Sequence, residues 1–370
     1  MKEFLSRLFQ RIMKGWTWAL LIVLAILIKW VSLYPGWIER NYTYGIYPII
    51  SSVQRFLLGW IPFSIGDLFY SFLIIVIIVK IVRLFKAIFK RKVNRAFLLK
   101  GLRQLIFIFL LVYVFFNLLW GLNYNRIGIA KQLGLDMKKY SLEELDTLTF
   151  ILQKRLNDYV LLAGPAQRDS FFKKRNLFRE SYEAYKDAAR QYAFLEYQPK
   201  SIKPSFFSYA GNVLGFQGYY NPFSGEAQVN TTVPVFTQPF IACHEIGHQL
   251  GYGKENEANF SGFLACRIHP SPAFRYSVYF DMYNYTIGEL YRKDSLTARK
   301  FIDSLNPLVK KDFKELRDFF NRYQNPIEPI ITWAYGGYLK ANRQPAGRET
   351  YSQVVAFLIA YQKKFGKNSL

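Results

Sequence analysis

The segment Ile241 to Phe260, IACHEIGHQLGYGKENEANF, holds two of the three histidines of a 370-residue chain, four positions apart, with a glutamate directly after the first. Chance places some pair of three histidines four apart roughly 2% of the time, and a glutamate beside the first lowers this to about 0.1%. On an α-helix His244 and His248 lie one turn apart and about 40° apart around the axis, so both imidazoles can converge on one ion. Glu245 follows about 100° further round, where a carboxylate meets a water beside the ion rather than the ion itself. That is the position of a general base.

Hydrolytic zinc sites use three protein ligands and keep a fourth position open. The first helix should end at LGYG, with Gly251 or Gly253 in a left-handed cap, and a second should start near Lys254. Its two acids, Glu255 and Glu257, are about 200° apart around that helix, so they cannot both face the ion. Glu255 shares a face with Asn259, Gly262 and Cys266, small or polar residues that allow close packing on the first helix. Glu255 is therefore the expected third ligand, with Asn259 hydrogen-bonded to a ligand imidazole and Glu257 as the alternative ligand. His269, in RIHPSP at a helix end before Pro270 and Pro272, is a further rival. Tyr219, Tyr220, Tyr335 and Tyr338 are candidates for a transition-state donor, and nothing in the sequence selects among them.

The elements that must carry this pair of helices fall into two parts. The chain is 51% hydrophobic and 18% aromatic, yet long uncharged apolar runs occur only in its first third. Three transmembrane helices are expected there, at about 16–34, 65–84 and 105–122, in a membrane module of residues 1–122. No small-x-small cleavage site follows the first run, which points to an anchor rather than a removed signal. Four Lys and Arg precede the first run and nine lie between the second and third, whereas only Arg40 and Arg55 lie between the first two. This bias puts the N-terminus in the cytoplasm and residues 123–370 outside, in the periplasm if the source is a bacterium with two membranes.

The formal charge is +23, but residues up to Leu122 hold 16 Lys and Arg against 3 acids, leaving +10 for the rest. Much of the excess belongs to membrane orientation, and no basic and aromatic nucleic-acid motif is present, so no nucleic-acid partner is expected. The lipid bilayer and a peptide or protein substrate in the cell envelope are the expected partners.

Beyond Leu122 the pattern is mainly helical. SLEELDTLTFILQKRLNDYV opens with a capping box, Ser141 and Glu144. Further helices are expected over 168–192, 273–291, 295–305, 307–323 and 349–364. The stretch SYAGNVLGFQGYYNPFSGEAQVNTTVP reads as two extended runs about an NPFSG turn, a short β-hairpin whose edge could pair with an extended substrate. The expected fold is thus a mainly α membrane protein with an exported, mostly helical α+β domain. Cys243 and Cys266 are expected as buried free thiols, although an oxidising compartment would permit pairing.

HEIGH followed by ENEAN resembles the gluzincin zinc metallopeptidases, in which HExxH on one helix is joined by a glutamate from the next. The resemblance implies a zincin-like domain, with His244, His248 and Glu255 as ligands of one Zn2+ per chain and Glu245 as base. Two features differ: Asn259 stands where many such proteins have Asp, and six residues separate His248 from Glu255, fewer than in many of them. With three N-terminal spans, the chain also resembles a bacterial membrane family classed as a domain of unknown function. Two other readings use the same residues: a zinc-bearing envelope sensor or assembly factor without catalysis, and an amidase acting on peptidoglycan.

Overall fold

The computed structural model describes Met13, residues 15–341 and residues 350–370. The chain forms two compact units, one comprising residues up to Ile50 with Ile65–Arg126, the other Ser51–Ser64 with Ile127–Leu370.

The first unit is helical: α1 (Gly15–Val31), the start of α2 (Pro35–Leu58), α3 (Ile65–Phe89) and α4 (Arg95–Leu119). Asn94 caps α4, its side chain accepting the Phe97 amide at 2.8 Å. At 25 residues α4 is about 37 Å long, enough for a hydrocarbon core of about 30 Å. Only 11% of its most apolar window is buried, unlike a core helix. α4 is the one described helix long and apolar enough to cross a membrane, and the bent pair α1 and α2, taken as one span, brings the count to two rather than three. The first apolar run is helical only to Val31 and then bends by 100°, because Pro35 opens a new helix. α3 covers the second run and leaves a row of large apolar side chains exposed, among them Phe72, Ile75 and Phe89.

The second unit contains α5 (Leu142–Leu162), α6 (Lys174–Ala189), α7 (Ser208–Leu214), α8 (Gln238–Gln249), α9 (Glu255–Ile268), α10 (Pro272–Lys293), α11 (Ser295–Asp303), α12 (Pro307–Tyr323), α13 (Glu328–Ala341) and α14 (Thr350–Phe365). α5 begins with the capping box, Ser141 and Glu144 bonding each other's backbone. Its Leu145, Leu148, Leu152 and Leu156, at helical spacing, are fully buried on the face that packs on α10. The sheet has three strands in the order β1-β3-β2: β1 (Ile202–Pro204) runs parallel to β3 (Glu226–Val229), and β2 (Gly218–Asn221) runs antiparallel to it as an edge. Asn221 Oδ1 accepts the Phe223 amide at 3.0 Å, and Gly225 closes the turn at φ +67°.

The hairpin falls about the NPFSG turn, but the expectation of an extended run through SYAGNVL is wrong. Those residues form α7, ended by Gly215 at φ +81° in a left-handed cap. Residues 51–64, placed by sequence in the membrane module, pack with the second unit because their polar side chains find partners there. Ser64 Oγ donates to Glu226 Oε2 at 3.1 Å, and Lys203 Nζ donates to the carbonyls of Leu58 and Gly59 at 3.3 and 2.9 Å. Cys243 and Cys266 are free and buried.

Candidate metal centre

α8 lies at the heart of the second unit, against β2, β3, α6, α9 and α10. Phe240, Ile241 and Ile246 anchor it in the core, each contributing about 2 kcal/mol of transfer free energy. Two glycines let α9 approach closely. A Cβ on Gly247 would stand 2.2 Å from Ser261 Oγ, and one on Gly262 3.2 Å from the His244 amide. From α6, the Tyr185 hydroxyl donates to the Cys243 carbonyl at 2.6 Å.

This packing brings the first carboxylate of α9 over both histidines. Glu255 Oε2 lies 3.3 Å from His244 Nε2, and Oε1 lies 3.8 Å from His248 Nε2. The two imidazoles meet edge to face, centroids 4.7 Å apart. Each Nδ1 is held on its far side: His244 Nδ1 donates to Asn259 Oδ1 at 2.8 Å and His248 Nδ1 to the Tyr252 carbonyl at 2.7 Å. A proton fixed on Nδ1 leaves the Nε2 lone pair of each neutral ring aimed at the same space. The Tyr252 carbonyl is delivered by a Schellman cap, with the Gly251 and Tyr252 amides donating to the carbonyls of His248 and Gly247 and Gly251 at φ +83°.

Donor atoms of His244, Glu245 and His248 lie within 4.8 Å of one another, a group that could hold a metal ion. Glu245 is 4% exposed, and its Oε2 has no hydrogen-bond partner among the described residues. β2 closes over it so tightly that a Cβ on Gly218 would stand 2.4 Å from Glu245 Oε1. Burial lifts the Glu245 carboxyl to about 8. For His244 burial alone would lower the pKa, but the Glu255 hydrogen bond and the charges of Glu245 and Glu255 hold it up at about 9. Burial pushes His248 down to about 4, keeping it neutral. Two imidazole lone pairs and a carboxylate facing one another need a cation between them, either a proton or a metal. Glu255 is 25% exposed in its side chain, so the group opens to solvent on that side.

Glu257 turns away, its Oε1 3.6 Å from Lys254 Nζ and its carboxylate against Gly128, where a Cβ would stand 1.8 Å from it. His269 caps the end of α9 and faces Glu180 Oε2 at 3.5 Å, with its ring on Phe274. The Tyr219 hydroxyl lies 3.4 Å from Ser205 Oγ, and Tyr220 is buried in β2. The side chains of Tyr335 and Tyr338 lie outside the described residues. Sequence reasoning missed Asp281 on α10, whose Oδ2 has no partner among the described residues and whose carboxyl burial lifts to about 7, opposed by the charge of His244. It also missed Gly218, which is recognisable only once β2 is known to cross Glu245.

The chain is thus a mostly helical protein with a small mixed sheet, a helix suited to a membrane and a buried His-Glu-His helix paired with a carboxylate from the next helix. A family model described as "Protein of unknown function (DUF3810)" matches residues 42–359, and the chain belongs to that family. No curated protein and no solved structure matches it.

Proposed function

We propose that the protein is a membrane-anchored, zinc-dependent peptidase of the HExxH type, with His244, His248 and Glu255 as ligands and Glu245 as general base. The observation that carries this reading is the convergence of both Nε2 atoms on Glu255, beside a buried Glu245 carboxylate oxygen without a partner. The donor set, two neutral imidazoles and one carboxylate, suits zinc with a position left open. A purely structural ion would need no unpaired carboxylate beside it.

When bound, zinc would supply Lewis-acid polarisation and make a water more acidic. Glu245 would take the proton from the attacking water as its oxygen bonds to the carbonyl carbon, and hand that proton to the leaving nitrogen as the C–N bond breaks. Asn259 and the Tyr252 carbonyl keep the two imidazoles oriented. Gly218 leaves the carboxylate its space.

The anchor in this reading is α4, the described helix long and apolar enough to cross a membrane, with the bent pair α1 and α2 as a second candidate. Three crossings of the inner membrane, at about 16–34, 65–84 and 105–122, with a cytoplasmic N-terminus and a catalytic domain in the periplasm, are the topology that agrees with the Lys and Arg bias.

The test is to incubate detergent-purified full-length protein, and Glu245→Gln, with unfolded proteins and with cell-wall fragments. Cleavage of proteins by wild type alone is the expected result. Cleavage of wall fragments alone would replace the peptidase with an amidase, and no cleavage of either by metal-loaded protein would favour a non-catalytic sensor.

A further inference from the structure

Among the last four carbonyls of α8, three are satisfied locally. Ile246 accepts the Leu250 amide, Gly247 the Leu250 and Tyr252 amides, and His248 the Gly251 amide. The fourth, that of Gln249, is taken from 194 to 198 positions away in sequence. Ser51 Oγ and Arg55 Nη1 each donate to it at 3.3 Å. Arg55 is 4% exposed, stacks over the Tyr197 ring at 5.5 Å, and forks its second nitrogen to the Gln198 carbonyl at 3.0 Å. A guanidinium on the last carbonyl of a helix also complements the negative end of its dipole.

The same stretch grips the rest of the site's frame. Gln54 Nε2 donates to the Pro222 carbonyl at 2.9 Å in the hairpin turn that follows β2. A Cβ on Gly225 in that turn would stand 2.7 Å from Gln54 Cβ. The Gln249 side chain donates at 2.7 Å to the carbonyls of Ser201 and Gly225, joining the end of α8 to the same turn. One buried network therefore connects Ser51–Arg55, the end of α8 next to His248, and the hairpin whose other end covers Glu245.

We infer that the segment Ser51–Ser64 is a built part of the metal centre, and that Arg55 is a positioning residue which fixes the C-terminal end of α8 and with it His248 and its Tyr252 clamp. The inference concerns the site proposed above, and its metal-affinity consequence rests on that reading. Among the described residues Arg55 bonds to Ser51, Gln249 and Gln198 and not to His244, Glu245, His248 or Glu255. It acts through the Gln249 carbonyl, one residue beyond His248. A segment that sequence assigns to a loop between membrane helices thereby completes a site formed 190 residues later.

The experiment uses the full chain in detergent, with hydrogen exchange of the amides of Leu250, Gly251 and Tyr252 as the primary readout. Arg55→Met should speed their exchange at least tenfold while leaving the amides of α10 unchanged. Arg55→Lys, which can satisfy one of the two carbonyls, should fall between Met and wild type, and Ser51→Ala should give a smaller effect at the same amides. Zinc affinity should weaken about tenfold in Arg55→Met. Unchanged exchange at these amides in all three variants, or a rise spread evenly over α10 as well, would overturn the inference. If wild type binds no zinc, the peptidase proposal fails and the exchange result still decides the role of Arg55. Should Arg55→Met not fold, Ser51→Ala and Arg55→Lys carry the same comparison.

Discussion

Replacing Gly247 by alanine should separate the metal-binding geometry from the stability of the fold. The new methyl would stand 2.2 Å from Ser261 Oγ and 3.2 Å from the Ala258 carbonyl oxygen, roughly 1 Å short of contact with the first. Ser261 is buried and hydrogen-bonded to the Ala258 carbonyl at 2.9 Å and to the Tyr185 hydroxyl at 3.3 Å, so it cannot swing aside freely. α9 must move away from α8, taking Glu255 and Asn259 from His244. Overpacking costs about 1–3 kcal/mol and the better helix propensity of alanine returns about 1 kcal/mol, so the fold should lose about 0–2 kcal/mol. Zinc affinity should fall by more than that loss suggests, roughly tenfold to a hundredfold, because a ligand and the partner of another are displaced together. Denaturant unfolding and zinc competition titrations on the full chain read the two quantities. Gly247→Ala with Ser261→Ala removes the clashing oxygen and should restore most of the affinity. Unchanged affinity in the single variant, or no recovery in the double, would refute the argument that α8–α9 proximity sets the site.

Other expectations follow from the same geometry. Gly218→Ala should push the Glu245 carboxylate aside, lowering kcat about a hundredfold while zinc content stays at the wild-type level; loss of zinc with activity would contradict this. Glu255→Gln should lose zinc, whereas Glu257→Gln, which breaks the buried contact with Lys254, should keep zinc and cost about 1 kcal/mol of stability. Metal analysis and unfolding of both variants check the pair, and the reverse pattern would exchange their roles. In metal-free protein His244, held up at about 9, carries a proton at pH 7 that zinc must displace. Apparent affinity should therefore rise about tenfold per pH unit between pH 7 and 9 and then level off; a flat profile would refute the assignment. Because this pKa is raised, its contribution to the stability of the metal-free fold is fully present below 6.5 and is lost as pH rises through about 9.

What could be read from the sequence was local in the chain. His244, Glu245 and His248 are related by helix geometry alone, and Glu255 and Asn259 share a face of the next helix by the same rule. The Gly251 cap and the Ser141 capping box are also short-range signals, and both appear as expected. The hairpin turn was legible from Asn221, Pro222 and Gly225. What was not legible depends on tertiary packing. A backbone acceptor such as the Tyr252 carbonyl leaves no mark in residue types. Gly218 over Glu245 and Arg55 on Gln249 join residues far apart in sequence, where spacing carries no information. Ser208–Leu214 misled because glycine and aromatic content suggested strand, while the helix depends on a left-handed Gly215 and on Asn230 Nδ2 donating to Asn212 Oδ1 at 2.7 Å. Of the three expected membrane helices, α4 alone is long and apolar enough among the described residues, and α1 with α2 adds a second as a bent pair, because Pro35 turns the first apolar run into the next helix.

The central claim is that His244, His248 and Glu255 bind a metal beside a separate base, and elemental analysis of metal-replete, purified full-length protein tests it most directly. Stoichiometric zinc in wild type and in Glu245→Gln, with none in the doubly substituted His244→Ala and His248→Ala chain, is the predicted result. Wild type without zinc, or zinc retained when both histidines are gone, would contradict it.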